Sequence, residues 1–100
     1  MTLGQRQRIF AKKIGLLIAW AYTNGYELSF GDAARMDNKG HKKGSFHYKR
    51  LAIDLNLFID GVYQRSTEAH RPLGEYWKSL GGTWGGDFRK KDGNHYSWGE

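Results

Sequence analysis

Apolar residues in the first quarter of the chain recur at the spacing of one helix face. They fall at i, i+4, i+7, i+8 and i+11, on Phe10, Ile14, Leu17, Ile18 and Ala21. Asn24-Gly25 follows this run, and both residues accept the left-handed backbone angles that end helices. The pattern therefore predicts one long helix over residues 3–23.

Alternation of apolar and polar residues predicts the strands. Residues 26–30 alternate weakly, whereas every second residue from Leu51 to Ile59 is apolar, as in a half-buried strand. Asp54 has the opposite parity, so it should leave the sheet on the face away from those apolar residues. Asp60-Gly61 is a two-residue hairpin signal, which predicts that residues 62–65 return antiparallel.

The last third of the chain predicts a shorter helix and a final strand. Pro72 marks the first turn of a helix over residues 73–80, closed by Gly81. Residues 81–86 are a turn-rich approach to the strand that carries His95. Glu68 and His70 are predicted to be surface residues.

Together these elements predict an α+β fold. The long N-terminal helix and the shorter helix pack on a small antiparallel sheet, and Asp54 lies on the sheet's other face. The chain of 100 residues is long enough for one core only, so residues 1–100 are predicted to form a single domain.

Composition limits the chemistry. There is no Cys, so a transition metal would be held by His and carboxylates. The net charge of +6 implies an anionic partner, either nucleic acid, a membrane surface or an anionic cell wall. The charged and apolar run at 12–22 imitates a secretory signal, but it is too short to span a bilayer and is predicted to be part of the first helix.

Two imidazoles and one carboxylate, His47, Asp54 and His95, form a usual ligand set for a catalytic zinc. A continuous strand would send His47 and Asp54 to opposite faces, so shared ligation requires a turn or bulge between Tyr48 and Arg50. Their spacing alone is a weak signal for zinc, and Asp54 taken by itself is better interpreted as an ordinary solvent-facing strand residue. His41, in a lysine-rich segment predicted to be a mobile loop, is left out of the set.

Several motifs resemble those of the zinc D,D-carboxypeptidase and L-alanyl-D-glutamate peptidase family (VanY-like). Ser45-x-His47, Ala52-x-Asp54 and Asp92-x-x-His95 resemble its Ser-x-His-x-x-Gly-x-Ala-x-Asp and Asp/Glu-x-x-His motifs. Trp84-Gly-Gly-Asp-Phe88 is similar to a stretch of the phage endolysin branch. Arg50 stands at the family's Gly position and Asn94 where Pro is common.

The resemblance implies a Hedgehog/D,D-peptidase-like fold and assigns roles to residues. His47, Asp54 and His95 would bind zinc, which activates a water molecule. Asp92 would be the catalytic carboxylate that moves the water's proton to the leaving amine. Arg35, in Asp32-Ala-Ala-Arg35, would bind a substrate carboxylate or stabilise the oxyanion, although without the resemblance it would be read as a solvated loop arginine. Ser45 would hold His47 through a hydrogen bond.

The implied function is hydrolysis of the L-alanyl-D-glutamate bond of peptidoglycan by a phage or prophage endolysin. D-Ala-D-Ala carboxypeptidase activity is the nearest alternative. A non-enzymatic basic module that binds nucleic acid is an alternative of another class, and a family member that has lost catalysis is a third. For the endolysin we expect a monomer without nucleic-acid partners or stable membrane insertion. It would be made in the host cytoplasm without a signal peptide and act on the wall after release.

Overall fold

The computed structural model describes residues 1–31 and 49–99. Within these residues two α-helices pack on an antiparallel sheet of five strands, which confirms the predicted α+β class. The elements are α1 (Leu3–Thr23), β1 (Tyr26–Phe30), β2 (Ala52–Ile59), β3 (Val62–Gln64), α2 (Arg71–Ser79), β4 (Thr83–Trp84) and β5 (His95–Ser97). Short 3₁₀ turns at Glu68–His70 and Gly85–Asp87 precede α2 and follow β4.

Helix α1 has the predicted bounds because both ends are capped locally. At its start the Thr2 hydroxyl accepts a hydrogen bond from the Gln5 amide at 3.1 Å, while the Gln5 side chain accepts one from the Thr2 amide at 2.8 Å. The helix ends at Asn24, and Gly25 follows with φ of 85°. Phe10, Ile14, Leu17 and Ala21 are buried in the core, as the apolar spacing predicted.

Strand β2 is the centre of the sheet. It pairs antiparallel with β1, β3 and β5, and β4 pairs with the outer side of β5. The predicted hairpin is present, with φ of 52° at Asp60 and 76° at Gly61. Leu51, Leu55 and Leu57 are fully buried beneath the helices, whereas Asp54 has the opposite parity and is only half-buried.

Helix α2 begins two residues earlier than predicted, at Arg71, with Pro72 in its first turn. Its Trp77 joins the helices to the sheet. The Trp77 indole N–H is shared between the carbonyls of Thr83, at 3.1 Å, and Ser97, at 2.9 Å, and its ring meets Phe10 edge-on. This packing ties α1 and α2 to the β4–β5 side of the sheet.

Neither described helix is long and apolar enough to cross a membrane.

Candidate metal centre

Asp54 and His95 face each other across two neighbouring strands. They are directly paired in the antiparallel register of β2 and β5, so their side chains leave the same face of the sheet. His95 Nδ1 lies 3.8 Å from Asp54 Oδ1. The two side chains are only 10% and 16% exposed, so an ion between them would be largely shielded from water.

A turn places Asp92 beside this pair. The His95 amide donates to the Asp92 carbonyl at 3.1 Å, closing a four-residue turn whose first and last residues are Asp92 and His95. The Asp92 amide in turn donates to the Gly85 carbonyl at 2.9 Å. One ligand atom from each of Asp54, Asp92 and His95 then lies within 4.8 Å of the other two. The Asp-x-x-His spacing is therefore the spacing of a turn that brings a carboxylate next to an imidazole.

Two glycines let the backbone approach this turn. A Cβ atom on Gly85 would lie 2.1 Å from the Asp92 carbonyl oxygen and 2.7 Å from His95 Cβ. A Cβ on Gly93 would lie 2.6 Å from Thr67 Cα. Because these neighbours are mostly backbone atoms, a side chain at either position would displace the segment that carries Asp92.

The Trp84-Gly-Gly-Asp-Phe88 stretch contacts both the Asp92–His95 turn and the His95 side chain. The buried Trp84 indole donates to the Gly93 carbonyl at 2.8 Å, which holds the Asp92–His95 turn against the core. The Phe88 ring packs against the His95 imidazole with 5.3 Å between centroids. The stretch therefore orients His95 and Asp92. The sequence pattern predicted only that residues 81–86 form a turn-rich segment before the last strand, and it did not indicate that Trp84 and Phe88 contact the site.

The donor set fits zinc. Imidazole and carboxylate are ligands that zinc accepts at about 2.0–2.2 Å, which puts two tetrahedral ligands roughly 3.5 Å apart. The 3.8 Å separation of His95 Nδ1 and Asp54 Oδ1 is within a few tenths of an ångström of that spacing. Small adjustments of the two side chains would therefore allow them to share one ion.

The structure brings together three of the predicted site residues, Asp54, Asp92 and His95. His47, Arg35 and Ser45 lie outside the described residues, as does His41, and their roles stay predictions. A turn at Lys49–Arg50 precedes β2, at the point where shared ligation by His47 and Asp54 requires one. Arg50 has φ of 56°, the left-handed angle for which the family position uses Gly.

His70 was predicted to lie on the surface, and this is wrong. It is 3% exposed, and its Nδ1 lies 2.8 Å from the hydroxyl of Tyr96, which is fully buried. Burial lowers the pKa of His70 to about 4, and burial also raises the pKa of Tyr96. At neutral pH both groups are therefore uncharged, as a hydrogen-bonded pair inside the core should be. Glu68, by contrast, is exposed as predicted and pairs with Arg71 at 2.8 Å.

The burial of His70 predicts a loss of stability in acid. The His70 pKa is 6.5 when unperturbed and about 4 in the folded protein, so the unfolded chain binds more protons between those values. The free energy of unfolding should therefore fall as pH falls through this window, by about 2–3 kcal/mol between pH 7.5 and 4.5. Urea unfolding at pH 7.5 and 4.5, applied to the chelated parent and to chelated His70→Gln, measures this change in the free energy of unfolding. Equal pH dependence in parent and variant would contradict the assignment.

Comparison with known proteins agrees with the site. A family model described as D-alanyl-D-alanine carboxypeptidase, of the peptidase M15 type, matches residues 39–98. The matched range contains Asp54, Asp92 and His95 together with His47 and Ser45. A search of the curated proteins gave no match.

Proposed function

The chain belongs to the M15 peptidase family, of the D-alanyl-D-alanine carboxypeptidase type, and we propose that it is a zinc-dependent endopeptidase that hydrolyses the L-alanyl-D-glutamate bond of the peptidoglycan stem peptide. Family membership alone makes it a peptidase that acts on peptidoglycan, and M15 peptidases are metallopeptidases. The zinc, the bond and the endolysin role are the proposal.

The observation that carries the proposal is the grouping of Asp54, Asp92 and His95. A shielded Asp–His pair offers two metal ligands, and an exposed carboxylate stands beside it. We assign Asp54 and His95, with His47, to the metal. Zinc bound there would supply a Lewis acid that activates water and polarises the scissile carbonyl.

Asp92 is the proton carrier in this proposal. Its carboxylate is within 4.8 Å of the proposed ligand atoms and is exposed, so both water and a substrate can reach it. In the ionised form it accepts a proton from the attacking water, and it then passes that proton to the nitrogen of the leaving amine. The proposal also gives Ser45 the role of hydrogen-bonding His47 and gives the Arg35 guanidinium the role of stabilising the oxyanion.

Three features support an endolysin that works on the wall. The Asp-x-x-His motif and the Trp84-Gly-Gly-Asp stretch resemble the endolysin branch, and that stretch supports Asp92 and His95 directly. The basic charge of +6 favours attraction to an anionic wall. The apolar run at 12–22 belongs to α1, whose Ile14, Leu17 and Ala21 are buried, so its removal would open the core. We accordingly propose that the protein is made in the host cytoplasm and released to the wall.

Digestion of purified muropeptides tests the function. Cleavage of the L-alanyl-D-glutamate bond releases the disaccharide with one alanine and a peptide that begins with D-glutamate, which mass spectrometry identifies. Loss of a single D-alanine from a pentapeptide would instead indicate the second candidate, the carboxypeptidase activity in the family model's description. A chelated sample is the control, and zinc should restore its activity. Intact substrate in every sample would contradict both candidates.

A further inference from the structure

A polar cavity of about 210 Å³ opens beside Asp92, between the segment that follows β3 and the segment that precedes β5. It is lined by the segment from Tyr63 to Thr67, by His70, and by residues 91–94. Almost all of its lining is polar, which distinguishes it from the apolar pockets along α1. A cavity of this kind suits a small charged or strongly hydrogen-bonding group.

The charged residues that line the cavity are Arg65, Lys91 and Asp92, so cations outnumber the acid by two to one and leave a net positive charge for an anion. Arg65 and Lys91 both line it, and neither makes a salt bridge with a described residue. Lys91 Nζ donates to the Gly86 carbonyl at 3.3 Å, which fixes its position while leaving further N–H donors. The nearby acid Glu68 is neutralised by Arg71, which holds it with two hydrogen bonds of 2.8 and 2.9 Å. The two cations are therefore available to a ligand.

His70 gives the cavity a buried hydrogen-bonding wall. The ring lines the cavity and is 3% exposed, and its Nδ1 is engaged by the Tyr96 hydroxyl at 2.8 Å. Its Nε2 makes no hydrogen bond with a described residue, so it remains available to a ligand. If the phenol donates to Nδ1, the proton of the neutral ring lies on Nε2, which is then a donor.

We propose that this cavity binds the α-carboxylate of the substrate residue whose amine leaves, with Arg65 and Lys91 as the cations that recognise it. The inference rests on the proposed function, in which Asp92 donates a proton to the leaving amine. In an L-alanyl-D-glutamate bond, the carbon that bears this amine also bears the free α-carboxylate of D-glutamate. An amine next to Asp92 therefore places that carboxylate beside Asp92 as well, where the cavity opens.

The test compares two muropeptides that differ only at this group, one with the free α-carboxylate and one with its carboxamide. The parent should show about tenfold or greater preference in kcat/KM for the carboxylate, as a charge-assisted hydrogen bond provides. Arg65→Gln and Lys91→Gln should each lower that ratio several-fold by raising KM for the carboxylate alone. Arg8→Gln and Lys90→Gln, outside the cavity, are the matched controls and should keep the ratio.

Calorimetric binding of the two product peptides, which begin with D-glutamate or its α-amide, gives a second readout that needs no catalysis. Preferential binding of the carboxylate that Arg65→Gln and Lys91→Gln weaken supports the subsite. A parent that cleaves both muropeptides equally, and binds both products equally, overturns the subsite and leaves the peptidase intact. A parent that cleaves neither muropeptide overturns the proposed function, and product binding then decides the subsite by itself. If the parent removes only a terminal D-alanine, the same comparison of kcat/KM is made with two pentapeptides, one ending in D-alanine and the other in D-alanine amide.

Discussion

Asp92→Asn should keep its zinc and lose about 10²–10⁴-fold in kcat, the usual contribution of a positioned general acid and base. The amide has nearly the shape of the carboxylate but cannot accept the proton of the attacking water. Because Asp92 is exposed, the substitution should change the free energy of unfolding little. Muropeptide hydrolysis and the zinc content of the same sample provide the measurement.

Asp87→Asn is the matched control for this variant. Asp87 is also an exposed aspartate in the same segment, but its carboxylate pairs with Lys78 at 2.9 Å instead of facing the metal centre. It should retain full activity. Full activity in Asp92→Asn would make the catalytic assignment wrong, and loss of zinc would show that Asp92 is a ligand instead of the proton carrier.

His95→Gln should lose both zinc and hydrolysis. His95 offers a nitrogen at 3.8 Å from Asp54 Oδ1, and glutamine cannot replace an imidazole ligand. Because loss of even an outer hydrogen-bond partner weakens metal binding 10–100-fold, loss of a ligand should weaken it by about 100-fold or more. Activity should fall to that of the chelated parent, and zinc should not restore it.

The chain offers a matched control in His41→Gln, the same change at a histidine that was left out of the predicted ligand set. This variant should keep its zinc and activity. Circular dichroism of His95→Gln checks that the fold remains, since His95 lies buried on β5. A folded His95→Gln protein with full zinc would remove His95 from the metal centre.

Elements with local signals were predicted well. The helix face from Phe10 to Ala21 and the Asn24-Gly25 end gave the bounds of α1, because capping and spacing act within a few residues. The parity of Asp54 along β2 gave its face correctly for the same reason. The start of α2 was predicted two residues too late, because Pro72 indicates that the first turn of a helix is close but not the residue at which the helix begins.

Features that depend on distant contacts could not be derived from the sequence pattern. The burial of His70 depends on Tyr96, 26 residues away, and nothing in the sequence around His70 indicates that partner. The pairing of Asp54 with His95 likewise depends on the register between β2 and β5, which the pattern of apolar residues in either strand does not determine. There the motif resemblance grouped the two residues, whereas spacing alone did not.

The most direct measurement is the zinc content of the parent protein, purified without chelators, beside that of His47→Ala. We expect close to one zinc per chain in the parent and its loss in the variant, because His47 is the proposed third ligand with Asp54 and His95. A folded parent that contains no zinc, and gains none when zinc is added, would contradict the metallopeptidase account.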